Sequence, residues 1–386
     1  MIIRELQNEI LRLSKHFKVV AVLGPRQSGK TTLCKYLFPE YHYFNLEDAT
    51  VIGEIAKSPV HFLEEYAPKG IVFDEAQKYP ELFSQIKVVA DEHPDYRFVL
   101  TGSSNFLMMA RITESLAGRV ALTTLLPLSL SELNGFATND TNTLLFNGGY
   151  PAIWGEKMLP RDVISNYYNT YIERDVRQII NLVNLSAFQI FIRLCAGRIG
   201  MEFNANSLSN EVGVTVKTIQ EWLSVLEASY VVFRLPPFFQ NIGKRLIKTP
   251  KIYFYDTALV CFLLGIENAE QLKTHPLRGS IFENYVMLEF LKSRFNAGKT
   301  RNLFFYRDKS QREIDIVQEF SYQYRAYEIK SAVNFNANFF NNLNYLKNIL
   351  GDRLLSTKLI FDGKTEINIP ENGTVNFRNI SQLIDE

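Results

Sequence analysis

KVVAVLGPRQSGKTT, from Lys18 to Thr32, is the stretch that decides the fold. Its first six residues form a short, apolar, β-branched run, which is typical of a buried parallel strand. The next eight, Gly24 to Thr31, fit the pattern GxxxxGK[ST] at every defined position, and the residues TTLCKYLF, which start at Thr31 and continue past this stretch, have helical spacing. Strand, glycine loop and helix therefore occur in the order that a phosphate-binding loop requires.

The composition of this loop predicts a nucleoside triphosphate with Mg²⁺. Glycines let the backbone curl so that its N–H groups point at a β-phosphate, beside a positive helix N-terminus. Lys30 would reach the β- and γ-phosphate oxygens, and the Thr31 hydroxyl would be a Mg²⁺ ligand. We predict ATP as the ligand, although the sequence alone does not distinguish it from GTP. The predicted binding residues are Gly24, Pro25, Arg26, Gln27, Ser28, Gly29, Lys30, Thr31 and Thr32.

A second strand, Gly70-Ile-Val-Phe, ends in the adjacent carboxylates Asp74 and Glu75. Paired acids at the end of a buried strand indicate that a positive group meets them. We predict that Asp74 holds the Mg²⁺, directly or through water, and that Glu75 is the general base that polarises the attacking water. The alternative is a solvated turn.

A third apolar strand begins at Arg97 and ends in the small polar residues Ser103, Ser104 and Asn105. In a parallel sheet these ends share the carboxyl edge, where the three residues would sense a γ-phosphate or serve only as loop formers. Strands at 41–46 and 119–125 would complete a five-stranded sheet.

These motifs carry a resemblance to a known family. The chain resembles the AAA-type ATPases of bacteria and archaea that carry a C-terminal domain of unknown function, DUF4143. The resemblance spans nearly the whole chain and rests on the loop at 24–32 and on Asp74-Glu-Ala-Gln77, Thr101-Gly-Ser-Ser104, Leu116-Ala-Gly-Arg119, Gly148-Gly-Tyr-Pro151, Tyr171-Ile-Glu-Arg-Asp175, Phe282-Glu283 and Tyr327-Glu-Ile-Lys330. It implies ATP hydrolysis and leaves the biological role undefined.

Arginines would complete such a site. Arg119 sits where the family has an arginine at the edge of the last sheet strand, and it would stabilise transition-state charge in its own subunit or in a neighbour. A surface ion pair is the alternative. In the helical segment that follows, Arg174 and Arg177 would contact nucleotide from a lid or form ion pairs. The predicted catalytic residues are thus Glu75, Lys30 and Arg119.

The segment Ser207–Glu227 has the pattern of a helix-turn-helix, with a turn at Gly213. Two apolar runs follow and flank the basic residues Lys244, Arg245 and Lys248, which suggests a winged helix. Eight basic and five acidic residues occupy 186–256. On the second helix, an exposed face with Thr215, Lys217, Thr218 and Gln220 would contact DNA. Winged helices also contact proteins, so both partners stay open.

The last third carries a second set of acids. Alternation along predicted strands places Asp315 on one strand and Glu328 with Lys330 on the next. Together with Glu283 on a helix, they look like the PD-(D/E)xK nuclease superfamily, which implies a Mg²⁺ site for phosphodiester cleavage. Ile314 stands where that motif has proline, and a charge cluster on an inactive fold is the alternative.

The predicted fold class is α/β: a P-loop NTPase parallel sheet with a helical lid, a winged-helix unit and a C-terminal restriction-endonuclease-like α/β domain. A length of 386 residues predicts two or three domains rather than one. We place the boundaries at 1–135 for the ATPase core, 136–200 for the lid, 201–265 for the winged helix and 266–386 for the nuclease-like domain.

Composition excludes several classes of protein. The formal net charge is only +1, so bulk charge gives no argument for nucleic-acid or membrane binding. Cys34, Cys195 and Cys261 are far apart and lack CxxC spacing, which argues against a disulfide framework or a zinc site. No long apolar run predicts a membrane span. We therefore expect a cytoplasmic protein.

Two functions remain open at this point. In one, ATP turnover drives or licenses contact of the C-terminal half with DNA. In the other, bound nucleotide switches the packing of an inactive nuclease-like domain against a protein partner or a sister subunit in a homo-oligomer.

Overall fold

The computed structural model describes residues 2–103, 115–136, 140–170, 184–238, 249–364 and 372–384. A five-stranded sheet forms the first part, and all its pairings are parallel, in the order β2-β3-β4-β1-β5. The strands are β1 (Val19–Leu23), β2 (His42–Asn45), β3 (Ile71–Asp74), β4 (Phe98–Gly102) and β5 (Val120–Thr124). The predicted five-stranded parallel sheet is confirmed.

Helices cover this sheet on both faces. Alternate residues of β1 pack into two different clusters, Val19 and Ala21 into one and Val20 and Val22 into the other. This explains why the strand is apolar throughout. The covering helices are α1 (Gln7–His16), α2 (Lys30–Leu37), α3 (Ala49–Lys57), α4 (Pro59–Tyr66) and α5 (Leu82–Glu92).

Helices dominate the middle of the chain. Those described are α6 (Thr141–Asn147), α7 (Pro151–Gly155), α8 (Pro160–Tyr167), α9 (Leu185–Gly197), α10 (Ala205–Val212), α11 (Val216–Ala228), α12 (Thr257–Leu263) and α13 (Ala269–Leu272). The predicted helix-turn-helix corresponds to α10 and α11. Gly213 ends α10 at φ 76°, and the Thr215 hydroxyl caps α11 by accepting from Thr218 N at 3.1 Å.

A two-stranded antiparallel sheet follows this pair of helices. It is formed by β6 (Val232–Leu235) and β7 (Lys251–Phe254), which correspond to the two predicted apolar runs. The side chain of Asn284 ties β7 to the next helix, because it accepts from Phe254 N at 2.7 Å and donates to Phe254 O at 3.0 Å. The position of β7 is therefore set from outside its own sheet.

The C-terminal part holds a mixed sheet in the order β12-β11-β10-β9-β8. Its strands are β8 (Leu303–Arg307), β9 (Glu313–Phe320), β10 (Gln323–Lys330), β11 (Leu354–Phe361) and β12 (Asn372–Asn376), and its helices are α14 (Arg278–Asn296), α15 (Asn341–Leu350) and α16 (Ser381–Ile384). The longest of these, α14, contacts both β10 and β5 and so joins the two large sheets. The predicted α/β class is confirmed.

One apolar cluster runs through the whole described structure. It includes Ala21 of β1, Trp222 of α11 and Phe290 of α14, all of them buried. The four predicted domains thus share a continuous core, and their boundaries stay a prediction.

Candidate functional site

The phosphate-binding loop lies between β1 and α2, at the carboxyl edge of the parallel sheet. Gly24 has φ +145°, and a Cβ there would lie 2.1 Å from the Leu125 carbonyl oxygen, so only glycine fits. Gly29, the residue before α2, has φ +93°, a conformation that L-residues rarely adopt. The loop therefore follows a path that its glycines alone permit.

Lys30 is the buried cation of this loop. Its Nζ donates to Pro25 O at 2.8 Å and to Gly24 O at 3.1 Å. Burial lowers the pKa of Lys30 to about 8, and the carboxylates of Glu75 and Asp74 oppose that shift only in part. The ammonium thus has neutral partners in its own loop, and an anion would bind it more strongly.

Asp74, at the end of β3, faces the start of α2. Its Oδ2 accepts from Thr31 Oγ1 at 2.8 Å and from Tyr43 OH at 2.5 Å, and its Oδ1 accepts from Thr101 Oγ1. A hydroxyl and a carboxylate in contact are oxygen ligands of the kind that Mg²⁺ prefers. The residues predicted to hold the metal are thus brought together.

Glu75 follows Asp74 in a left-handed conformation, with φ 53°. Its Oε2 accepts from Gln77 Nε2 and, at 3.1 Å, from Ser103 Oγ. These two donors orient the carboxylate beside the loop, because Ser103 directly follows the neighbouring strand β4. Spacing alone predicted Glu75, whereas the roles of Gln77 and Ser103 in orienting it appear only in the structure.

Two adjoining clefts open at this edge. One, of about 470 Å³, is lined by Lys30, Thr31, Glu75 and residues of α7 and α8 such as Pro151. The other, of about 330 Å³, is lined mainly by apolar residues, among them Ile2, Leu128, Phe136 and Pro151. Gly29, Thr32 and Glu156 line both, so the two clefts are continuous. One cleft thus carries the charged residues of the loop, and the other is mainly apolar.

Arg4 contacts the phosphate-binding loop through the backbone of Ser28. The Ser28 hydroxyl is buried and, within the described residues, has no hydrogen-bond partner. Its carbonyl accepts from Arg4 Nη1 at 2.6 Å, while Arg4 Nη2 donates to Leu126 O at 2.5 Å and Arg4 Nε lies 3.1 Å from Glu132 Oε1. Arg4 was not predicted as a site residue, because an arginine near the N-terminus carries no local signal.

Arg119 is not brought to the phosphate loop of its own chain. It precedes β5, and its carbonyl accepts from Val19 N at the amino edge of the sheet. The loop lies at the opposite edge, the length of a five-residue strand away, or roughly 16 Å. Arg119 Nε and Nη2 instead bind Asp91 at 2.6 and 2.8 Å. This is the surface ion pair that was the alternative interpretation.

Several predicted residues lie outside the described part of the chain. They are Ser104, Asn105, Arg174, Arg177, Lys244, Arg245 and Lys248. Of the remaining cations near the helix-turn-helix, Arg198 pairs with Glu211, Arg234 with Glu227, and Lys217 with Glu221. These ion pairs use charge that a DNA contact would need.

The acids predicted in the last third converge on one place. Lys330 Nζ lies 2.5 Å from Glu328 Oε1 and 4.0 Å from Asp315 Oδ2. Asp315 Oδ2 also accepts from Ile329 N at 2.7 Å. Burial, followed by the charge of Asp315, raises the pKa of Glu283 to about 7 and that of Glu328 to about 8. The four predicted residues therefore form one electrostatic cluster.

A further lysine completes this cluster and was not predicted. Lys251 of β7 is 2% exposed, and its Nζ lies 3.3 Å from Glu283 Oε1 and 2.5 Å from Glu313 Oε1. Tyr253, two positions along the strand, donates its hydroxyl to Glu283 Oε1 at 2.5 Å. Burial alone would lower the pKa of Lys251, but Glu283 and the neighbouring acids outweigh it and raise that pKa.

No helix of the described residues has both the length and the apolar character needed to cross a bilayer.

Family models match three consecutive parts of the chain. They are an AAA domain at residues 16–134 and two domains of unknown function, DUF8612 at 138–270 and DUF4143 at 278–381. An uncharacterized protein of Mycobacterium tuberculosis is 31% identical over 322 residues, which cover 81% of this chain and 70% of that protein. Another, from Methanocaldococcus jannaschii, is 25% identical over 333 residues, covering 78% and 72%.

Among solved structures, a Walker-type ATPase of Pyrococcus abyssi matches 68% of this chain and 96% of its own, with 14% identity and a TM-score of 0.48. The family models and the Mycobacterium relative decide the assignment. The chain belongs to the family of AAA-type P-loop ATPases that carry a C-terminal DUF4143 domain, as its motifs predicted.

Proposed function

We propose that the chain is a Mg²⁺-dependent ATPase that hydrolyses the β,γ bond of ATP to give ADP and phosphate. The observation that carries this proposal is the convergence of Lys30, Thr31 and Glu75 on one cleft at the carboxyl edge of the sheet, where Asp74 accepts a hydrogen bond from Thr31. That edge is where open parallel sheets bind their ligands.

Each residue has a separate task in this proposal. The ammonium of Lys30 exchanges its carbonyl partners for β- and γ-phosphate oxygens. Thr31 and Asp74 would hold Mg²⁺, which neutralises charge on the phosphates when it is bound. Glu75, oriented by Gln77 and Ser103, accepts a proton from the attacking water. The adenine base of the nucleotide would lie in the apolar cleft beside Ile2 and Phe136.

The test is phosphate release from ATP with Mg²⁺ by the wild type and by Glu75→Gln. Loss of the general base should lower the rate by roughly 10²- to 10⁴-fold, while ATP binding changes little. Glu81→Gln, at an exposed position nearby, is the matched control and should keep the wild-type rate. A Glu75→Gln protein that hydrolyses ATP as fast as the wild type would contradict the proposal.

For the purpose of hydrolysis, we propose a nucleotide-dependent switch, and one short segment favours it. Lys251 and Tyr253 of β7 contact the acid cluster, and Asp256, just beyond, accepts from Gly149 N at 2.8 Å. Gly149 leads into Pro151, which lines both clefts. Six residues thus connect the nucleotide cleft with the C-terminal sheet, through packed contacts rather than a flexible linker.

Hydrogen exchange of the segment 251–256 tests this switch. In Glu75→Gln protein, which should hold ATP without turnover, ATP should change the protection of the segment. Asp256→Asn, which leaves a single acceptor oxygen for the N–H groups of Gly149 and Ala258, should weaken that change. Identical protection with and without ATP would exclude the segment as the connection.

Coupling to DNA stays a prediction. Its signature is a Glu75-dependent rate of phosphate release that rises several-fold with duplex or single-stranded DNA. The same assay therefore separates the two purposes, since a switch acting on a protein partner or a sister subunit predicts a rate that DNA does not change. We also propose a cytoplasmic location, which the three buried, unpaired cysteines support.

A further inference from the structure

Arg4 lies in the short segment before α1, outside the AAA domain match that begins at residue 16. Its side chain is nevertheless buried, with 4% of the residue exposed. The guanidinium donates to Ser28 O at 2.6 Å and to Leu126 O at 2.5 Å, and its Nε lies 3.1 Å from Glu132 Oε1. One planar fork thus joins the phosphate-binding loop to the segment that follows β5.

The contact with Ser28 O fixes one peptide plane of the loop. The Ser28–Gly29 peptide is trans, so its C=O and N–H groups point in opposite directions. A Ser28 carbonyl that is held toward Arg4 therefore directs the Gly29 N–H away from Arg4. The Ser28 side chain does not restrain this plane, because its buried hydroxyl lacks a hydrogen-bond partner in the part of the chain that the structure describes. The contact with Arg4 thus sets the orientation of the plane.

The orientation of this plane matters because Gly29 lines both clefts and directly precedes α2. Backbone N–H groups at such a place are the donors that a phosphate group accepts from. A loop whose N–H groups are already oriented binds an anion without the entropic cost of ordering them first. Arg4 itself is close to the carboxylate of Glu132, which balances its charge. Its contacts therefore indicate an effect through the loop backbone rather than a direct contact with phosphate.

The other end of the fork is also held in place. Glu132 is 8% exposed, and its Oε2 accepts from Ser129 N at 2.9 Å. Helix α14 holds the same segment, because Glu289 Oε2 accepts from Leu130 N at 2.7 Å. Arg4 thus connects the loop to a segment that is itself fixed by buried polar contacts.

We propose that Arg4 is a positioning residue of the phosphate-binding loop, which orients the Gly29 N–H toward the phosphates of a bound nucleotide. This role rests on the ATP binding proposed above, and it adds to the site a residue that lies outside the AAA domain match. Removal of the guanidinium should lower nucleotide affinity more than it lowers the stability of the fold.

The experiment measures binding of the β,γ-methylene analogue of ATP with Mg²⁺ by calorimetry, together with the unfolding temperature. Arg4→Ala should bind the analogue roughly 10- to 100-fold more weakly than the wild type. Millimolar methylguanidinium should restore most of this affinity, because Arg4 lines a cleft of about 330 Å³ through which the ion can enter. Methylammonium and the variant Arg4→Lys supply the charge without the planar fork, and both should restore little. Arg4→Gln repeats the test if Arg4→Ala does not fold.

Arg278→Ala is the matched control for a general loss of stability. Arg278, at the start of α14, also uses its fork, since it donates to Ser331 O at 2.8 Å and lies 3.3 Å from Asp362 Oδ2. Its removal should lower the unfolding temperature and leave affinity for the analogue unchanged.

Three results would overturn the positioning role of Arg4. They are wild-type affinity in Arg4→Ala, an equal loss of affinity in Arg278→Ala, and a loss in Arg4→Ala that methylguanidinium does not reverse. A wild type that binds the analogue but releases no phosphate from ATP would contradict the proposed hydrolysis alone. A wild type that does not bind the analogue would overturn both proposals.

Discussion

The protein buries two lysines in two different ways. Lys30 of the phosphate loop is 5% exposed and has only carbonyl partners, and burial lowers its pKa to about 8. Lys251 of β7 is 2% exposed and lies between Glu283 and Glu313, and the acids around it raise its pKa above the usual value despite burial. Among the described residues, similar burial thus leaves the ammonium of Lys30 hydrogen-bonded to neutral carbonyls and places that of Lys251 beside two carboxylates.

This difference separates a binding lysine from a structural one. A buried ammonium with neutral partners is stabilised when an anion binds. The free energy that its burial costs in the free protein is then recovered as affinity for phosphate. A buried ammonium that already has carboxylates gains nothing from an anion, and removing it destabilises the fold because those acids are left without their cation. The two lysines should therefore respond to substitution with opposite signs.

Removing Lys251 should have the largest effect on stability. Lys251→Ala leaves Glu283 and Glu313 without their shared cation, and the free energy of unfolding should fall by about 3–5 kcal/mol in urea denaturation. The double variant Lys251→Ala with Glu283→Gln should recover part of this loss, because one unpaired charge is removed with the cation. A loss below about 1 kcal/mol would show that the cluster does not hold β7 in place.

Removing Lys30 should weaken binding without weakening the fold. Lys30→Met should lower ATP affinity about 100-fold, which corresponds to about 2.7 kcal/mol. At pH 7 its free energy of unfolding should rise by about 1 kcal/mol or more, since a desolvated charge is gone. Lys57→Met, on the surface at the end of α3, is the control and should change neither quantity. A large loss of stability in Lys30→Met would remove the contrast with Lys251.

The lowered pKa of Lys30 should also be visible as proton uptake. Free protein at pH 8 holds this lysine about half protonated, and bound phosphate keeps it charged, so binding should take up about half a proton. ATP affinity should then be constant below about pH 7 and fall as pH rises above about 8. Calorimetry in two buffers of different ionisation enthalpy measures the uptake. Lys30→Arg, whose side chain stays charged throughout, should show none.

The sequence predicts the two regions unequally for a physical reason. The phosphate loop is local: its glycines, Lys30 and Thr31 are contiguous, and the strand ends that carry Asp74 and Glu75 must meet it at one sheet edge. Alternation on β9 and β10 likewise predicted that Asp315 and Glu328 meet. These sets follow from element type and topology alone, and the structure brings both together.

Contacts between distant elements carry no such signal. Lys251 and Tyr253 lie in an apolar run, and nothing in that run shows that it packs beside α14. Arg4 reaches Ser28 O only because α1 places the N-terminal segment under the loop. For Arg119, the sequence predicted a place next to a sheet strand, but its distance from the phosphate loop of its own chain depends on which end of that strand it occupies.

Arg119 gives the smallest expected effect, and it tests whether a second copy completes the site. Its guanidinium binds Asp91 at the amino edge of the sheet, so Arg119→Ala should leave stability unchanged within the error of urea denaturation.

In dilute protein the rate of ATP hydrolysis by Arg119→Ala should equal that of the wild type, because the arginine does not reach the loop of its own chain. If wild-type turnover per molecule rises with protein concentration and that of Arg119→Ala does not, the arginine acts on a neighbouring subunit, and the site is shared between copies. A loss of activity at every concentration would instead show that Arg119 acts within its own chain, which the separation of the two sheet edges does not allow without a large rearrangement.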